Sequence, residues 1–115
     1  YHAKVEGHLR SDMDVTLYMK KADTKALVSL EPQEGYVKAQ MRVHPFRREG
    51  DSTWIKVELI TGRFHQIRAG MAFLGYPLAG DGKYGSLRRE NMKLDAYRIV
   101  IDPIEMELEQ NEFMK

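Results

Sequence analysis

Ser52–Leu74 reads STWIKVELITGRFHQIRAGMAFL, and the hydrophobic period changes once within it. From Ser52 to Ile60, Ile55, Val57 and Leu59 alternate with Trp54, Lys56 and Glu58, the two-residue period of a half-buried strand. Beyond Thr61 the period becomes helical. Ile67, Met71 and Leu74 stand at i, i+4 and i+7, one stripe of a helix from about Phe64 to Leu74. Thr61 or Gly62 is the expected start, and Gly75-Tyr76-Pro77 the stop. This junction crowds Arg63, His65, Gln66 and Arg68 together, where free N–H groups and a partial positive charge favour anions. Arg68 follows Ile67 and precedes Met71 by three, so it falls at the edge of the apolar stripe. An arginine there is expected to be partly buried and to need a carboxylate partner.

Outward from this stretch, Val37, Ala39, Met41 and Val43 alternate with Lys38, Gln40 and Arg42, and Arg48-Glu49-Gly50-Asp51 reads as a hairpin turn before Ser52. Tyr1–Gly7 is a short strand around Ala3 and Val5. Val15–Met19 is a short strand inside a polar segment, and Ala26–Leu30 is an apolar run closed by Glu31-Pro32-Gln33-Glu34-Gly35. Leu94–Ile101 and Ile104–Leu108 are expected strands on either side of Asp102-Pro103. Tyr36, Phe46, Trp54 and Phe64 are assigned to the core. Strands outnumber helices, so the expected fold is α+β: a mixed, mainly antiparallel sheet with a short helix after the TGRFHQIR strand end.

Composition narrows the function classes. The 115 residues are 43% hydrophobic and 30% charged, which is globular, and no apolar run approaches the ~18 residues of a membrane span. No secretory leader pattern is present, and the chain has no cysteine, which suits a reducing compartment such as the cytoplasm. Residues 102–115 hold five of the acids and one base, leaving 17 basic against 12 acidic side chains in residues 1–101, a net of +5. A basic body permits contact with a phosphate backbone. The four histidines show no metal-ligand spacing, so no metal is expected. Gly75–Gly85 carries four glycines, but Pro77 and Tyr84 stand where a phosphate-binding P-loop needs Gly and Ser/Thr.

Taken in order, Glu58-Leu59-Ile60-Thr61-Gly62-Arg63-Phe64-His65-Gln66-Ile67-Arg68, then Leu74-Gly75-Tyr76-Pro77-Leu78-Ala79-Gly80-Asp81 and Tyr84-Gly85, closely resemble the signature blocks of the RluA-type pseudouridine synthases. Tyr1–Gly7 resembles the family's Y-x-A-x-V-x-G strand, so the likeness covers nearly the whole chain and is weakest at residues 8–30 and in the acidic tail. It implies isomerisation of uridine to pseudouridine in ribosomal or transfer RNA, without metal or organic cofactor. The family's nucleophilic aspartate lies in H-R-L-D-x-x-T-S-G, before the tyrosine strand. That motif is absent, and His8-Leu9-Arg10-Ser11-Asp12 follows the strand in the wrong order.

With the chain opening on Tyr1, the expectation is therefore the C-terminal portion of a longer catalytic domain, inactive alone. The resemblance makes Tyr1 the active-site tyrosine against the target base and Arg68 the arginine that pairs with the catalytic aspartate. Replacing Arg68 with Met is expected to abolish turnover and spare the fold. Leu78 falls where the family has an apolar residue near the base, and Arg63, His65 and Gln66 shape the site or touch RNA. Gly70 stands in a helix where relatives often carry His, at a cost of about 1 kcal/mol relative to Ala. The competing readings are a non-catalytic RNA-binding module on the same scaffold and a partner-binding domain with no RNA role.

Overall fold

The computed structural model describes residues 1–96. Six strands form one sheet: β1 His2–Glu6, β2 Met13–Ala22, β3 Lys25–Ser29, β4 Val37–Glu49, β5 Ser52–Leu59 and β6 Leu94–Asp95. A single helix, α1 (Gln66–Phe73), follows β5, and a 3-10 turn spans Gly82–Tyr84. The order across the sheet is β3-β2-β4-β5-β1-β6, and every named strand pairing is antiparallel.

The β4–β5 hairpin is where the sequence puts it. Glu49 pairs with Ser52, so Gly50-Asp51 is a two-residue turn. β4 runs six residues past Val43, because a bulge between Pro45 and Arg47 lets the strand pass its proline and resume pairing at Arg47↔Trp54. β2 is also longer than expected. Lys20 continues the outward face of Asp14 and Thr16 while Val15, Leu17 and Met19 stay buried. Its hairpin partner β3 holds the sheet edge. Of the strand expected over 94–101, Leu94–Asp95 forms β6; residues 97–101 and the strand expected over 104–108 lie outside the described residues.

The helix starts at Gln66, two residues later than its hydrophobic stripe predicts, and its N-cap is His65 rather than Thr61 or Gly62. One face of the sheet supplies Ala3, Val5, Val15, Leu17, Met41, Val43, Ile55 and Val57 to a core completed by Ile67 and Met71 of α1, with Leu9 and Leu78. Gly70 explains the close approach: a Cβ there would lie 3.1 Å from Met41 Cε and 3.4 Å from Leu17 Cδ1. A second cluster joins Met19, Ala26 and Ala39 to Ala69. The four aromatics assigned to the core lie outside it. Phe46 and Phe64 are exposed, and Tyr36 and Trp54 are half-buried: the β4 bulge displaces Phe46, Phe64 lies in the turn before α1, and the parity of Tyr36 and Trp54 turns them from the helix-covered face. Among the described residues no helix is long and apolar enough to cross a membrane.

Candidate active site

Past β5 the chain folds back on β4. Ile60 and Thr61 N–H both donate to the Gln40 carbonyl, at 3.0 and 3.2 Å. Thr61 Oγ1 accepts the Gln40 N–H at 2.8 Å and donates to Gln66 Oε1 at 2.8 Å. Gln66 Oε1 also accepts the Arg63 N–H at 2.9 Å, and its Nε2 donates to the Gln40 carbonyl at 2.9 Å. Gln66 is only 4% exposed, and these bonds make it the brace of the strand–helix turn. Arg63 lies outside, with Nε donating to the Lys38 carbonyl at 2.7 Å.

His65 turns the corner in a left-handed conformation, φ 52° and ψ 30°, uncommon for a residue with a side chain. Its ring faces two partners: Nδ1 is 2.7 Å from the Tyr84 hydroxyl, and Nε2 is 3.1 Å from Arg68 Nη1. A guanidinium nitrogen can only donate, so Nε2 accepts and the network assigns the proton to Nδ1, which donates to Tyr84 Oη. Burial first, and then the positive charges of Arg68 and Lys83, hold His65 below the usual histidine range. Phe64 stacks on the ring at 3.9 Å between centroids.

Arg68 finds the carboxylate its position calls for. Nε donates to Asp81 Oδ2 at 2.8 Å and Nη2 to Asp81 Oδ1 at 2.9 Å, a bidentate pair. The Asp81 side chain is 1% exposed and that of Arg68 21%. The hydrogen bonds to Asp81 raise the pKa of Arg68 above its ordinary value. A guanidinium has five N–H donors. Asp81 takes two and His65 one, which leaves one on each terminal nitrogen without a partner among the described residues. The Tyr84 ring lies 5.2 Å from the Arg68 guanidinium, and its hydroxyl accepts the Ala26 N–H at 2.9 Å, tying this network to β3.

These groups border one pocket of about 170 Å³, lined by Tyr1, Arg63, His65, Gln66 and Arg68 with apolar Leu59, Ile67 and Leu94. Tyr1 is 39% exposed and is held by backbone bonds in both directions with Val57, at 2.7 and 2.9 Å. Five of the six residues singled out from sequence thus meet. The sixth, Leu78, is completely buried opposite Val5 and does not line the pocket. Asp81 and Tyr84 belong to the motif blocks, but the sequence alone gives them no role. The signal for Asp81 was present: an arginine at the edge of an apolar stripe asks for a carboxylate, and Asp81 stands in the adjoining motif block.

The sequence model of a family described as RNA pseudouridylate synthase matches residues 1–73. An uncharacterized RNA pseudouridine synthase of Synechocystis is 45% identical over 62 residues, 47% of this chain and 21% of that protein. The uncharacterized RNA pseudouridine synthase YlyB of Bacillus subtilis is 35% identical over 74% of this chain and 28% of its own length. The dual-specificity RNA pseudouridine synthase RluA of Yersinia pestis is 37% identical over 73% of this chain and 42% of its own. The chain therefore spans less than half the length of these curated relatives. Among solved structures, human RNA pseudouridylate synthase domain containing 1 shares the fold with a TM-score of 0.66, over 79% of this chain and 44% of that one, at 21% identity. Since the family match takes in Tyr1, the braced turn and Arg68 together, the chain belongs to the RNA pseudouridylate synthase family.

Proposed function

We propose that the protein to which these residues belong converts uridine to pseudouridine in ribosomal or transfer RNA. The base would leave the stack to reach the pocket, the C1′–N1 bond breaks, C1′ rejoins the base through C5, and the C5 proton is lost as N1 gains one. Tyr1 is assigned to the face of the base, and Arg68 to holding the nucleophilic aspartate ionised. That aspartate is assigned to a segment beyond these 115 residues. Asp12 is a poor candidate, since it lies 3.1 Å from His44 and away from the pocket lining.

The observation that carries this reading is the pair of unused N–H donors on Arg68 in a pocket bordered by Tyr1. Although Asp81 already occupies one edge of the guanidinium, a second carboxylate still has donors to meet. The volume, about 170 Å³, is below the ~300 Å³ at which drug-sized sites begin and suits a single planar base.

Tritium release from RNA labelled at uridine C5 tests the assignment. The 115-residue chain alone gives background, and a longer protein that includes an H-R-L-D-x-x-T-S-G segment turns over. In that protein Arg68→Met falls to background. Turnover by the short chain would overturn the placement of the nucleophile, and full activity of Arg68→Met would overturn the role of the arginine. RNA binding without turnover in the longer protein would make this a binding module.

A further inference from the structure

The connector after β1 is clipped to the end of the β4–β5 hairpin. Gly7 N–H donates to the Asp51 carbonyl at 2.7 Å, and His8 Nε2–H donates to the Gly50 carbonyl at 2.9 Å. Thr53 Oγ1 accepts the Leu9 N–H at 3.2 Å and donates to the Gly7 carbonyl at 2.7 Å. Between connector and hairpin lies a groove of about 360 Å³ that shares no lining residue with the pocket at Arg68. Arg10, Arg47 and Arg48 line it with Phe46, and no carboxylate residue does.

Two features set this groove apart from an ordinary solvated face. The β4 bulge takes Phe46 out of register with β5 and leaves it 53% exposed, an apolar ring turned toward water amid cations. Arg47 meets Glu49 only at 3.8 Å, and neither Arg10 nor Arg48 has an ion-pair partner among the described residues. Two guanidiniums without an ion pair among the described residues, beside an exposed ring on a clipped frame, match the demands of a single nucleic-acid strand: charge for phosphates and a flat face for a base. The Phe46 ring centroid lies 5.2 Å from that of His2, the first residue of β1.

We propose that this groove binds a single-stranded segment of RNA, with Arg10 and Arg48 on its phosphates and Phe46 against a base. The proposal rests on the reading that RNA is the substrate. Fluorescence anisotropy of a labelled oligouridylate with the 115-residue chain, titrated at salt concentrations from about 50 to 200 mM, tests it. Each lost phosphate contact removes about 0.7 from the slope of log K against log salt, so Arg10→Gln/Arg48→Gln makes the slope shallower by about 1.4. Arg10→Lys/Arg48→Lys keeps the slope, which separates lost charge from lost fold. Phe46→Ala weakens binding by about tenfold at unchanged slope.

An unchanged slope in the glutamine pair overturns the phosphate contacts, and unchanged affinity in Phe46→Ala overturns the stacking. Equal competition by heparin at matched charge, with no effect of Phe46→Ala, would make the groove a general polyanion surface. Tritium release by the longer protein separates the two ideas. Slope changes without turnover keep the groove and sink the synthase, whereas turnover with unaltered slopes sinks only the groove.

Discussion

His65 meets two demands at one position: a left-handed backbone that starts α1, and a neutral ring between a guanidinium and a phenol. Its pKa is lowered in the folded chain, so the unfolded state binds more protons as pH falls below the ordinary value of about 6.5. The contribution of this neutral ring is therefore complete above that pH and is lost as pH falls toward the folded value. We expect Tm to drop between about pH 7.5 and about pH 5.5, and to drop less in His65→Asn, because Asn tolerates the left-handed backbone and does not titrate. His2, also held low by burial, leaves part of the drop in the variant. An equal drop in both proteins would refute the assignment. Arg68 carries a second lesson. Sequence reading expects Arg68→Met to spare the fold, but the nearly inaccessible Asp81 carboxylate would lose its bidentate partner. Breaking such a pair costs about 3 kcal/mol, and Arg68→Met/Asp81→Asn should recover part of it in urea melts. The double variant also lets loss of turnover be read apart from loss of fold.

Elements were legible where their information is local. The β4–β5 hairpin follows from alternation and four turn residues, and α1 follows from one apolar stripe. The extent of β2 and β4 was not legible, because Lys20 and Lys21 continue no apolar alternation and Pro45 lacks a backbone N–H, so only the pairing partners reveal that the strands go on. The helix start was misread for a related reason. Thr61 has a capping side chain, but it serves Gln40 and Gln66 across the turn instead of the helix N-terminus. Gly80 shows what the glycine-rich loop is for. It has φ +87°, and a Cβ there would lie 2.2 Å from the Glu90 carbonyl oxygen. Gly80→Ala should cost about 2–3 kcal/mol and displace Asp81 from Arg68. Gly75→Ala, at φ +97° with no atom within 4 Å, isolates backbone strain alone and should cost about 1 kcal/mol. Equal losses in thermal or urea melts would mean that the contact with Glu90 is unimportant.

At the scale of the molecule, the non-local order β3-β2-β4-β5-β1-β6 could not be read from periodicity, since nothing local tells β1 to pair with β5. The site was legible further than the fold, because Arg63, His65, Gln66 and Arg68 are close in sequence as well as in space. Its completion by Asp81 and Tyr84 depends on the path of the chain after α1. That path runs along β1: Glu6 N–H donates to the Pro77 carbonyl at 2.8 Å, and Ala79 N–H donates to the Lys4 carbonyl at 3.0 Å. Val5 and Leu78 face each other in an isolated bridge between these bonds. Only then does the chain deliver Asp81 to Arg68. One short stretch thus gauges two separations at once, from the helix to β1 and from β1 to the guanidinium. A residue inserted between Gly75 and Asp81 would shift the bridge or part the ion pair, however well its chemistry suited a loop. The stretch is a ruler, so the number of residues between the two signature blocks is as much a part of the site as the side chains that they carry.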